Sequence, residues 1–71
     1  MPSMNVQRIV GNNVRKHRLA ANLTQAQVAK RMGVDRTYIV GLEKGQRNVT
    51  IETLAQAAKA LGIKVARLLD E

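Results

Sequence analysis

The chain has 71 residues; typical domains run to about 100–150, so one domain at most is expected, with little room for a buried catalytic pocket. Twelve Lys and Arg against five Asp and Glu give a formal charge of +7, which points to a polyanionic partner, either nucleic acid or an anionic membrane. Hydrophobic residues make up 45%, too many for a disordered basic tail, and Tyr38 is the one aromatic residue, which argues against proteins that stack single-stranded bases on several rings.

In chain order, residues 1–4 are read as a flexible tail, and the opening MPSMNVQRIV lacks the basic stretch plus apolar core of a secretory signal. A first helix is expected near 5–21, turning Val6, Ile9, Val10, Val14 and Leu19 inward, with Arg8, Arg15, Lys16 and Arg18 outward or on its flanks. Gly11 reads as a mild flaw in it. A second helix near 24–32 opens on Thr24, with Gln27 three residues on to complete a capping box, and buries Val28, Ala29 and Met32. A third near 35–44 has Asp35 as its cap. A fourth near 50–61 starts at Thr50 and buries Ile51, Leu54, Ala57, Ala58 and Leu61. A short fifth near 65–70 carries Val65, Leu68 and Leu69. Asn22, Gly33, Gly45 and Gly62 punctuate these segments as left-handed caps would. No segment alternates with period two, so the expected fold class is all-α, five helices in one domain over 1–71.

Only Gly33 and Val34 separate the second and third helices. So short a joint does not suit an antiparallel hairpin; it suits two helices crossing steeply. Small or apolar residues fall where that crossing needs them, at Val28, Ala29, Met32, Gly33, Val34, Ile39 and Leu42. Residues 25–44 therefore read as a helix-turn-helix. At about 100° per residue, Ile39 and Leu42 point one way, while Arg36, Thr37, Val40, Gly41 and Lys44 cover the other side. Arg36 and Thr37 stand at the N-terminal end, where base readers are expected. Arginine can fork onto guanine, and threonine can offer a hydroxyl or a methyl to thymine. The bare backbone at Gly41 would let the helix sink deeper into a groove.

The stretches LTQAQVAKRMGV at 23–34, LEKG at 42–45, RNVTIETL at 47–54 and AKALGI at 58–63 resemble the phage Cro/repressor, or XRE-like, helix-turn-helix family. The likeness spans about residues 7–69. Within it, DRTYIVGLEKGQRNVTIETL is similar to the controller proteins of restriction–modification systems. The resemblance implies a compact repressor-like domain that reads bases from Arg36, Thr37 and Gly41, and Val40, on the same side of the helix, is a further base-reading candidate. It implies backbone contacts from Gln25 at the start of helix two and from the loop after helix three, with Arg47 and Asn48; Thr24 and Lys44, beside them, are further backbone candidates. Tyr38 is divided between core packing and a DNA contact. Arg18 and Glu43 match a recurrent ion pair between helices one and three, and Val65, Leu68 and Leu69 match a homodimer surface.

The expected partner is double-stranded DNA, bound by a cytoplasmic homodimer acting as a transcription regulator. Two other readings stand beside it: an antitoxin that binds a protein toxin, and the DNA-binding part of a longer regulator. No cofactor or metal is expected, since there is no cysteine and His17 is the one histidine. With Ser3 as the one serine, no nucleophile–base pair suggests an enzyme. The basic residues are spread over several helices, which disfavours a membrane-surface helix.

Overall fold

The computed structural model describes residues 5–71, so the tail expected at 1–4 lies outside the described residues. Five helices follow one another: α1 (Val6–Ala20), α2 (Gln25–Met32), α3 (Arg36–Glu43), α4 (Ile51–Leu61) and α5 (Val65–Leu68). Among the described residues there is no strand, and the all-α expectation holds. No helix among them is long and apolar enough to cross a membrane.

The helix starts are set by short polar side chains. Asn5 accepts from the Arg8 amide, and Thr50 accepts from the Thr53 amide. Thr24 and Gln27 form the expected capping box, the Thr24 hydroxyl taking the Gln27 amide at 3.0 Å and Gln27 Oε1 taking the Thr24 amide at 2.8 Å. Each such cap satisfies a backbone donor that the helix itself cannot. Asp35 occupies the cap position of α3 but makes no side-chain cap bond. The turn between α2 and α3 closes through Gly33, whose φ of +70° is a left-handed conformation that a side chain would strain. Val34 N then donates to Ala29 O, completing the helix stop.

Val10, Val14, Val28, Ile39, Leu42 and Leu68 are fully buried and form the centre of one core. Three expectations about that core are corrected. Ile51, expected inside, is 85% exposed, because it is the first residue of α4 and the chain enters the helix before that turn reaches the core. Val6 and Leu19, near the two ends of α1, are exposed as well, and Leu23 in the following turn packs on the core instead. Gly11 is no flaw. A Cβ there would run into the Leu42 carbonyl oxygen and stand 2.9 Å from Glu43 O, so the glycine is what allows α1 to lie directly on the end of α3.

The fifth helix is shorter than expected, ending at Leu68. Leu68 is fully buried beneath it, which removes this residue from the dimer surface expected of it: its side chain closes the core. Asn13, buried in the middle of α1, fastens this end of the chain. Its Nδ2 donates to Leu68 O at 2.9 Å and to Asp70 O at 2.7 Å. Arg31 does similar work at the end of α4, its Nη1 donating to Ala60 O at 2.9 Å.

Candidate nucleic-acid interface

The inward side of α3 is fixed by Ile39 and Leu42, both fully buried, so the opposite side must face solvent. Arg36 and Thr37 are exposed at its first turn, Val40 is half-buried and Lys44 is exposed just beyond its end. The helix therefore presents an arginine and a threonine together at its N-terminal end.

Beneath this face, Glu43 collects three donors. Arg18 Nε donates to its Oε2 at 2.6 Å, and Arg18 Nη2 and Gln25 Nε2 donate to its Oε1 at 3.1 and 3.2 Å. Arg18 Nη1 turns the other way and donates to Leu23 O at 3.0 Å. The Glu43 side chain is 5% exposed and that of Arg18 11%, so this is a forked, nearly dry ion pair and not a surface contact. It ties α1, the turn after it, the start of α2 and the end of α3 to one another. Arg18, on the flank of α1, thus spends its charge inside the protein, on the partner that the resemblance implies. Part of the Gln25 amide is likewise engaged with Glu43, while its residue remains half-exposed.

A groove of about 590 Å³ runs past Arg15, Thr24, Gln25 and Arg36. A second, of about 250 Å³, is lined by Arg15, Gln25, Val40, Glu43 and Lys44. The two share Arg15 and Gln25, so the start of α2, the outward side of α3 and one arginine of α1 make a continuous surface. Backbone N–H groups at the start of α2 and two free guanidinium groups suit phosphate oxygens there. The sequence marks Arg15 only by its spacing, three residues before Arg18 on α1.

On the other flank, Tyr38 is half-buried against the core and Arg47 lies over its ring, the guanidinium carbon 5.2 Å from the centroid. Gly41 departs from expectation. It is buried, not a bare stretch of helix, because the Arg47 side chain covers it. Asn48 Oδ1 accepts from Gln7 Nε2 at 2.7 Å, so that end of its amide is engaged within the protein. At the far end of the chain, Val65 and Leu69 are 39% and 46% exposed, leaving apolar surface on α5. Among the described residues no cluster of His, Asp or Glu could hold a metal ion.

A helix-turn-helix whose second helix is buried on one side and carries arginine and threonine on the other is the arrangement expected of a DNA-binding transcription regulator. The chain belongs to the helix-turn-helix family, XRE type, whose model matches residues 14–68. It is similar to control protein C.SmaI of Serratia marcescens, 46% identical over 66 residues that cover 93% of this chain and 79% of that one. Control protein C.BamHI of Bacillus amyloliquefaciens is 37% identical over 67 residues, covering 93% and 83%. Among solved structures, the restriction–modification controller protein C.AhdI of Aeromonas hydrophila superposes with a TM-score of 0.82 at 37% identity, over 87% of this chain and 94% of that one.

Proposed function

We propose that this chain is a sequence-specific regulator that binds double-stranded DNA as a homodimer, reads a partly palindromic operator, and controls the expression of a restriction–modification system. The observation that carries the reading is the exposed pair Arg36 and Thr37 at the N-terminal end of α3, beside the arginine-lined groove at the start of α2. Arg36 reads guanine, Thr37 contributes a hydroxyl or methyl contact, and Val40 adds apolar contact. Thr24, Gln25, Arg15 and Lys44 hold phosphates on either side of the groove, with Tyr38, Arg47 and Asn48 on the loop flank. The similarity to C.SmaI and C.BamHI, both named as control proteins, supports the controller role.

Two protomers would place their recognition helices in successive major grooves about 34 Å apart. Selection of bound sites from random duplex DNA tests this directly: it should return two related half-sites centred one helical turn apart. With roughly three phosphates neutralised per protomer, the logarithm of affinity should fall against the logarithm of salt with a slope of about −5. Equal affinity for all duplexes, or a slope near zero, overturns the reading.

A further inference from the structure

Tyr38 and Gly41 are three residues apart on α3 and lie side by side on its surface. The Arg47 side chain, coming from the loop that follows, rests across both. A Cβ at position 41 would stand 3.0 Å from Arg47 Nε and 3.3 Å from its Cγ, and the guanidinium lies over the Tyr38 ring. The loop is fastened on both sides of this arginine. Gly45 packs so closely on α1 that a Cβ there would be 3.1 Å from Arg8 Cα. Beyond Arg47, Asn48 is held by Gln7 at 2.7 Å, a bond across 41 positions of sequence. The glycine that lacks a side chain is thus covered by an arginine from elsewhere, and that arginine is held in place from α1.

We propose that Gly41 and Gln7 are positioning residues for DNA recognition, Gly41 as the seat and Gln7, through Asn48, as the latch that holds Arg47 on the recognition side of α3. In this arrangement Arg47 serves as the side chain that position 41 does not have. A free arginine has much rotamer freedom to lose on binding; one already laid along the helix has less, so seating it favours the complex. The inference rests on the DNA-binding reading above. It replaces the simpler idea that Gly41 only lets the helix approach the bases.

The two ideas separate in a double-mutant cycle on the full chain, using a duplex selected for it. Gly41→Ala should weaken binding about fivefold and Gln7→Ala about threefold. In an Arg47→Ala background each should change affinity less than about twofold, because the residue they position is gone. Gly41→Ala places alanine in a helix, so its melting temperature should not fall and the loss of binding is not unfolding. In the free protein, the Arg47 side-chain protons should resonate upfield under the Tyr38 ring current and move back in Gly41→Ala. Equal losses with and without Arg47 overturn the proposal, as does an unmoved Arg47 resonance or unchanged affinity in both single variants. If the unsubstituted chain selects no duplex, the DNA-binding reading fails, and the resonance shift still decides whether Gly41 seats the arginine.

Discussion

At Glu43, three donors from two other parts of the chain converge on one nearly buried carboxylate. Removing it leaves the Arg18 guanidinium buried with the Leu23 carbonyl as its remaining partner. A buried charge deprived of its partner costs about 3–5 kcal/mol. Glu43→Ala should therefore lower the melting temperature by more than about 12 °C, at about 4 °C or more per kcal/mol for a domain this small. Thermal denaturation followed by circular dichroism checks it, and the loss should persist in high salt, since a dry pair is little screened. Unchanged melting would make the pair incidental. The pairing of Arg18 with Glu43 was legible through the family resemblance. The engagement of Gln25 with the same carboxylate was not, because an amide at the first position of a helix gives no sign of which way it turns. Arg47 over Gly41 was also hidden: the periodicity of α3 places position 41 outward, and only the path of the following loop decides what covers it.

Between elements, the contact of α1 with the end of α3 sets the angle at which α3 is presented, and Gly11 sits at that contact. In an isolated helix, Gly11→Ala would gain about 1 kcal/mol of propensity. Here the added methyl meets the Leu42 carbonyl oxygen and comes within 2.9 Å of Glu43 O, both backbone atoms that cannot swing aside. Overpacking of this kind costs about 3 kcal/mol, so the net effect should be a loss of about 2 kcal/mol in urea denaturation. A gain in stability would mean that the two helices do not meet as described. Helix starts are legible where a side chain caps them locally, as at Thr24 with Gln27 and at Thr50, which announce themselves within four residues; Asp35, which makes no cap bond, is the exception. The far end of α5 is less legible. The carbonyls of Leu68 and Asp70 there are held by Asn13, more than fifty positions earlier, and of the adjacent pair Asn12 and Asn13 nothing in the sequence announces which will turn inward or which carbonyls it will hold.

For the molecule as a whole, the charge of +7 is unevenly available. Arg18 is neutralised by Glu43, Arg31 is turned onto the Ala60 carbonyl, and Arg67 stands 3.4 Å from Asp70. Arg15, Arg36, Lys44 and Arg47 line the surfaces beside α3, which is why about three phosphates per protomer is a better expectation than twelve. The proposed dimer follows from the other side of the fold, where α5 packs on α1 and α4 and leaves Val65 and Leu69 half-exposed. Leu68 is committed to the core, so the seam must be tested through its neighbour. Leu69→Asp should leave the monomer folded, with a melting temperature within a few degrees of the parent once dissociation is allowed for, because the leucine is 46% exposed. Sedimentation equilibrium at micromolar concentration should then find the parent dimeric and the variant monomeric. On operator DNA the salt slope should drop from about −5 to about −3, one protomer's share of the phosphates. A variant that stays dimeric would exclude Leu69 from the seam and shift attention to Ile51, the most exposed large apolar residue among those described. A monomeric variant that kept the full slope would separate dimerisation from DNA binding altogether.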